Sequence, residues 1–348
     1  MKCTIQNIAD HLGLSRNTVS KALKNSSEVS ENTRNLVIKT ASKLGYKNAT
    51  FAPVIPASET GSNGTILFLT RTYASDSEFW TTVLRGIESI LSNANYHLAI
   101  SIMSDSDLKQ LNFPQTISDS SIKGIILVEI CDKVVCDALS QFNLPIVSVD
   151  MPNVPFEELN GIDVVTMESK KNLKKIINQL IEKGAESFGF VGDLYSPNVS
   201  RGFQERYNAL SECLAEHQLP LNQKNCLLHQ TPEDFRNFQT TVNNLQAMIS
   251  LPDVFICGND WTAIQLIYAL QFLGFQIPKD ICVVGFDNIP AASRISPSLT
   301  TISTPQKYLG IAAARQILER IQHPNCPHVF CQYETELIIR NSTNITSF

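Results

Sequence analysis

Apolar residues in the first 50 positions recur with the period of a helix, and from Thr65 onward they gather into short unbroken runs, so one chain carries two kinds of pattern. Ile5, Ile8, Ala9 and Leu12 stand at i, i+3, i+4 and i+7, which predicts an amphipathic helix over 4–12, with Thr4 as its cap and Gly13 as its stop. Ser15 is placed to cap a second helix that turns Val19, Ala22 and Leu23 inward and Arg16, Asn17, Lys21 and Lys24 outward. A third helix is expected from Ser30 to about Leu44, with Val37, Ala41 and Leu44 buried and Gly45 closing it. Three short helices with one tight turn make a helix-turn-helix.

The later runs alternate with helical stretches. "TILFLT", "YHLAISI", "KGIILVE" and "LPIVSVD" read as buried strands separated by helices over 79–93 and 133–142. A second series, "GIDVVTM", "SFGFVGD", "NCLLHQ", "DVFICGN" and "ICVVGFD", alternates with helices near 170–183, 205–216, 232–250 and 261–273. Two runs of βα units predict two doubly wound α/β lobes of mostly parallel strands. The helix after "LTTISTPQKYLG" is expected back in the first lobe, so that the chain crosses between lobes three times. The predicted organisation is a small all-α head over 1–47, a linker over 48–64 and a two-lobed core over 65–348. Lobe 1 takes about 65–150 plus 299–321, and lobe 2 about 160–290 plus 328–345.

Charge changes this picture by dividing the chain. Residues 1–50 hold eight Lys and Arg against three Asp and Glu, a balance of +5, while the other 298 hold twenty against thirty, or −10. A basic head on an acidic body is the balance a phosphate-binding module needs. With 43% hydrophobic and 18% charged residues the chain can bury a sizeable core. The N-terminal stretch has no export-signal pattern and no long apolar run follows, so an intracellular protein with no membrane partner is expected. Cys131 with Cys136 and Cys326 with Cys331 lack the second pair and histidines of a zinc site, and reduced cysteines with no metal are expected.

On the second helix, arginine can grip guanine bidentately, asparagine can pair with adenine, and small hydroxyls suit phosphate oxygens. The run "LSRNTVSKALKN…VSENTR…LGYKN" resembles the DNA-binding head of the LacI/GalR family of bacterial transcription regulators. "LRGIE", "DVFICGNDWTAIQLIYALQFLGFQIPKDICVVGFDN" and "SPSLTTISTPQKYLG" resemble that family's periplasmic-binding-protein-like core, so the likeness covers the chain except its hinge. Carried over by position, it implies that Arg16, Asn17 and Lys21 read bases and that Thr4, Ser15, Thr18, Ser20, Asn25 and Tyr46 anchor the DNA backbone. It further implies a cytoplasmic, homodimeric repressor with double-stranded operator DNA and a small-molecule effector, a sugar or sugar derivative, as partners and with no cofactor. The hinge departs from the family. "NATFAPVIPASETGSNGT" places Pro53 and Pro56 where relatives form a short helix, and an extended linker is expected instead.

In open α/β sheets ligands sit beyond the carboxyl ends of strands, which nominates Asp150, Asn259, Asp260 and Asp287. The resemblance adds Phe79 and Trp80 as stacking groups and Arg206 as the clamp, with Arg201 competing if the register slips. Carboxylates, an amide, an arginine and an aromatic face suit a polyhydroxylated ring. For Asp260, capping its helix is an equal alternative. No nucleophile elbow, P-loop or dinucleotide motif is present and the histidines His97, His217, His229, His323 and His328 stand apart, so an enzyme is not expected. The remaining alternative is a ligand-binding protein of the same core fold without DNA activity, which salt-sensitive retention on DNA distinguishes.

Overall fold

The computed structural model describes residues 4–23, 29–30, 33–34, 36–37, 40–41, 62–71, 77–194, 199–229 and 237–345. They fall into two compact units, Met1–Gly61 and Ser62–Phe348.

In the first unit, α1 (Ile5–Leu12) starts at a reciprocal cap. Thr4 Oγ1 accepts the Asn7 N–H at 3.3 Å while Asn7 Oδ1 accepts the Thr4 N–H at 2.9 Å. Gly13, at φ +63°, ends the helix in the left-handed conformation that a side chain disfavours. Ser15 then caps α2 (Arg16–Leu23), its Oγ accepting the Thr18 N–H at 3.0 Å. Thr33, Arg34, Leu36, Val37, Thr40 and Ala41 are helical, and Ser30 Oγ accepts the Thr33 N–H at 3.4 Å. Ile8, Ala9, Val19, Ala22, Val29, Val37 and Ala41 close a small apolar core. Lys24, Asn25, Leu44, Gly45, Tyr46 and the linker through Gly61, with Pro53 and Pro56, lie outside the described residues.

The second unit begins with β1 (Gly64–Arg71), α3 (Glu78–Leu91), β2 (Tyr96–Met103), α4 (Asp105–Gln110), β3 (Ile122–Val128), α5 (Lys133–Ser140), β4 (Ile146–Ser148) and β5 (Ile162–Met167). It continues with α6 (Lys171–Glu182), β6 (Phe188–Asp193), α7 (Arg201–Glu216), β7 (Leu227–His229), α8 (Phe238–Ala247), β8 (Val254–Cys257), α9 (Asp260–Phe272) and β9 (Cys282–Asp287). Last come β10 (Thr300–Ser303), α10 (Gln306–Gln322), β11 (Phe330–Tyr333) and β12 (Glu336–Ile338). Among the described residues the strands form two sheets of six, ordered β11-β5-β4-β3-β1-β2 and β12-β10-β9-β8-β6-β7. The pairs are parallel except β10 with β12. The central strands read as unbroken apolar runs because helices cover both faces; Leu69, Ile126, Phe190 and Val284 are buried.

The partition between sheets corrects the sequence expectation. "GIDVVTM" does not open the second lobe: β5 pairs with β4, Ile146 against Ile162, and finishes the first sheet with β11 beside it. Thr300–Ser303 pairs with β9 and belongs to the second sheet, although the sequence pattern places 299–321 whole in the first lobe. The first sheet also takes 330–333 from the stretch expected in the second. Apolar periodicity marks a strand but does not say which edge it joins. Among the described residues the chain crosses between the sheets after β5, after β10 and after β11.

α10 packs across β3, β4 and β5 and against α3. The two helices approach so closely that a Cβ on Gly310 would lie 2.0 Å from the Val83 carbonyl oxygen, and one on Gly86 2.2 Å from that of Lys307. The start of β5 is tied to the same helix by a buried ion pair. Arg320 donates from Nε and Nη2 to Asp163 at 3.0 and 2.8 Å, and Gln316 and the Val329 N–H add bonds of 3.0 and 2.9 Å.

Candidate functional site

Two surfaces carry the residues singled out by sequence. In the first unit, Arg16 and Asn17 are exposed side by side in the first turn of α2, above the buried Val19 and Ala22. Ser20 and Lys21 are half-buried on the next turn, and Thr18 is held by a 2.8 Å bond between its hydroxyl and that of Ser15. Thr4 is exposed at the start of α1. A guanidinium fork and an amide at one helix start suit hydrogen bonding to base edges. Asn25 and Tyr46 lie outside the described residues.

The second site is a cavity of about 530 Å³ in the core unit. Ser77 and the first turn of α3, with Glu78, Phe79 and Trp80, form one wall. Glu129 follows β3 and Asp150 follows β4. From the second lobe come Asp193 at the end of β6, Phe203 and Arg206 on α7, Asn259, Trp261 and Gln265 around α9, and Asp287 at the end of β9. The wall therefore collects the carboxyl ends of strands from both sheets, where parallel strands leave side chains that the sheet itself does not use. Beside it the lobes are joined by the main chain: the Arg201 N–H donates to the Met151 carbonyl at 3.1 Å, and Pro152 bridges Ser200.

Arg206 is 3% exposed. Its Nη1 donates to the Gly258 carbonyl at 2.6 Å, its guanidinium carbon lies 3.7 Å from the centre of the Phe286 ring, and among the described residues Nε has no hydrogen-bond partner. Burial pushes its pKa down, opposed by the charges of Asp287 and Asp150. Burial also pushes Asp150 up to about 6, against the Met151 N–H, which donates to Oδ1 at 2.8 Å, and against Arg206. Asp287 is raised well above the usual carboxylate range by burial, with Arg206 opposing and Asp260, Asp150 and Glu129 adding to the rise. Asp287 stands at φ +120° and Asn288 at +56°, conformations that need outside support. That support comes from the segment leaving β10 for α10: Gln306 Nε2 and Thr304 Oγ1 donate to the Asp287 carbonyl at 2.6 and 3.2 Å.

Phe79, Trp80, Asp150, Arg206, Asn259 and Asp287 all line this one cavity. Asp260 does not, which corrects its assignment to the ligand. It is 0% exposed, and its carboxylate accepts the Thr301 hydroxyl at 2.5 Å and the Ile289 N–H at 2.9 Å. Nor does Asp260 cap its helix; that is done by Asn259, whose Oδ1 accepts the Thr262 N–H at 2.9 Å. Arg201 turns from the cavity to Glu205, 2.8 Å away, and to the Phe330 ring. Glu78, Glu129, Asp193, Phe203 and Trp261 were missed. Glu129 and Asp193 end "KGIILVE" and "SFGFVGD", so the strand-end rule already applied to Asp150 would have found them.

Residues 4–48 match the bacterial regulatory proteins of the lacI family, and residues 177–343 match the periplasmic binding protein-like domain. The HTH-type transcriptional repressor PurR of Photobacterium profundum is 26% identical over 344 residues, 97% of this chain and 98% of the relative. A LacI family transcriptional regulator of Enterococcus faecium solved with bound ribose is 25% identical, with a TM-score of 0.65 over 80% of this chain and 98% of that one. The lac repressor dimer bound to operator and the anti-inducer ONPF shares the fold at a TM-score of 0.67 and 20% identity, over 99% of each chain.

Proposed function

Since this chain belongs to the lacI family of bacterial regulatory proteins, we propose that it is a cytoplasmic repressor whose affinity for operator DNA is set by a small molecule held in the core cavity. The observation that carries this reading is the pairing, in one chain, of an exposed Arg16 and Asn17 on a capped helix with a cavity walled by both lobes. Arg16, Asn17 and Lys21 read bases in the major groove, while Thr4, Ser15, Thr18, Ser20, Asn25 and Tyr46 anchor the phosphate backbone. Two copies act together on half-sites about one helical turn, or a multiple, apart. Among the described residues no helix is long and apolar enough to cross a membrane.

In the cavity, Arg206 and Asp287 grip ligand hydroxyls, Asn259 and Asp150 add polar partners, and Phe79 and Trp80 present an aromatic face of the kind that stacks on a sugar ring. The ligand gains differential affinity by touching both lobes, and a change in the angle between the lobes changes the spacing of the two heads.

Two measurements test this. Retention of the full chain on operator DNA should fall steeply with salt, and Arg16→Ala should lose about 1–3 kcal/mol at one base pair and relax specificity there. Equal weakening on operator and random DNA would show that Arg16 touches phosphate alone. In a thermal-shift screen of sugars, a true effector at 100 times its Kd adds about 2.7 kcal/mol. Arg206→Ala or Asp287→Ala should abolish that shift and leave unliganded operator binding intact.

A further inference from the structure

Asp260 stays out of the cavity wall, yet it stands between two residues that belong to it. Asn259 and Trp261 flank it at the start of α9, and its carboxylate reaches across to the turn after β9, where Asp287 and Ile289 line the same space. Oδ2 accepts the Ile289 N–H at 2.9 Å, and Oδ1 accepts the Thr301 hydroxyl at 2.5 Å. The carboxylate lies directly on β9, for a Cβ on Gly285 would collide with Oδ1. One buried side chain therefore sets the spacing between Asn259 and Trp261 on one side and Asp287 and Ile289 on the other.

The turn does not hold itself. Asp287 at φ +120° and Asn288 at +56° occupy backbone conformations that side chains disfavour and that persist only where the surroundings over-determine them. Asn288 is gripped at both ends of its amide: Arg340 Nη2 donates to Oδ1 at 2.6 Å, and Nδ2 donates to Ser303 Oγ at 3.1 Å. Its N–H donates at 3.4 Å to the Thr301 hydroxyl, the same group that donates to Asp260. Arg340 is fixed in turn, with Nη1 donating to the Leu299 carbonyl at 2.8 Å and its N–H to the Thr300 hydroxyl at 2.9 Å. Asp260 from α9, Thr301 and Ser303 from β10 and Arg340 from beyond β12 thus converge on three residues that give the cavity Asp287 and Ile289. Once released, Asp287 relaxes to a negative φ, and a backbone rotation of that size carries its carboxyl away from its place on the wall.

We propose that Asp260 is a positioning residue for ligand recognition, acting with Arg340 from the other side of the turn to hold Asp287 in the conformation that presents it to the ligand. This rests on reading the cavity as the effector site. Neither Asp260 nor Arg340 lines the cavity; their part is to order Asp287 before the ligand arrives, which removes that cost from binding.

The first test needs no ligand. In crystals of the full chain Asp287 should stand at positive φ, and in Asp260→Ala it should relax to negative φ while β8 and β9 stay in place. An unmoved Asp287 would overturn the inference. If Asp260→Ala does not fold, Arg340→Ala, at a half-buried position, is held to the same expectation. Affinity is then read by calorimetry with ribose, glucose, galactose, glucuronate and cellobiose, taking the sugar that binds the wild-type chain most tightly. Asp260→Ala should weaken it about tenfold or more, while Asp260→Asn, whose amide still accepts the Ile289 N–H and donates to the Thr301 hydroxyl, should stay within about threefold. Asp253→Ala is the control: it strips the acceptor from the Glu186 and Ser187 N–H groups ahead of β8, at the end of the sheet away from the cavity, so it destabilises the same lobe and should leave affinity unchanged. An Asp253→Ala loss as large as that of Asp260→Ala would reduce Asp260 to a stabilising role, and an Asp260→Asn loss as large would trace the effect to charge; either overturns the inference and leaves the effector-site reading standing. Failure of all five sugars on the wild-type chain would overturn the sugar-effector reading, and the recognition role with it.

Discussion

The head and the core carry their working side chains in opposite ways. In the head, the proposed base readers Arg16 and Asn17 stand outside the apolar cluster, while Val19 and Ala22 beneath them are fully buried, so the proposed recognition and the stability fall on different residues. In the core, Asp150 and Arg206 are themselves buried, and the Asp287 carbonyl is held by donors from the strand-to-helix crossing at 304–306. A substitution at Arg206 or Asp150 therefore also removes a buried hydrogen bond of the fold. The head is free to alter specificity at little cost in stability; the core is not.

The largest expected effect tests whether the core's buried charge is structural even away from the cavity. Asp163→Ala leaves Arg320, 5% exposed, without its carboxylate, and should destabilise the core unit by about 3–5 kcal/mol in denaturant melts. A loss under 1 kcal/mol would mean that the Arg320 bonds to the Pro324 and Pro327 carbonyls carry the network alone.

A second measurement sharpens the contrast through pH. Burial holds Asp260 at about 6, against an ordinary carboxylate value near 4. At this site the folded chain then binds more protons than the unfolded one between those values, so the contribution of Asp260 to stability falls as pH rises from about 4 to about 6, by at most about 3 kcal/mol, and is level above. Asp260→Asn should flatten part of that slope. An unchanged slope would locate the raised titration elsewhere, with Asp150 the first candidate because burial raises it to the same value.

The smallest effect belongs to the head. Ser15→Ala removes the acceptor of the Thr18 N–H and should cost that unit about 1 kcal/mol, with the melting of the core unmoved. A shift of both transitions together would show that the two units do not melt independently.

These differences also decide what could be read from sequence. Thr4, Gly13 and Ser15 act on neighbours within four positions, so composition and period alone were enough to place both helices. The strands were equally legible, because burial on both faces writes an apolar run into the chain. Their partners were not: β5 and β11 meet across more than 160 intervening positions, and nothing local to "GIDVVTM" says which sheet it ends. Asp260 and Asn259 sit at one strand end and look alike in sequence, yet the backbone turns one to the Thr301 hydroxyl and the other onto its own helix. Glu129 needed only a consistent use of the strand-end rule, whereas Phe203 and Trp261 enter from helices whose rotation the sequence leaves open.

The three crossings between sheets have a consequence for synthesis. A ribosome delivers the second sheet's β6 to β10 before the helix that covers the first sheet, and both sheets wait for their last edges, β11 and β12. The β5 edge of the first sheet stays open until residue 333 has left the exit tunnel and the β10 edge of the second until residue 338, so the nascent chain carries two open strand edges until almost all of it is made. The helices of the head have no such dependence and can fold some 300 residues earlier, which puts a DNA-seeking module at the front of a chain whose control unit is assembled last.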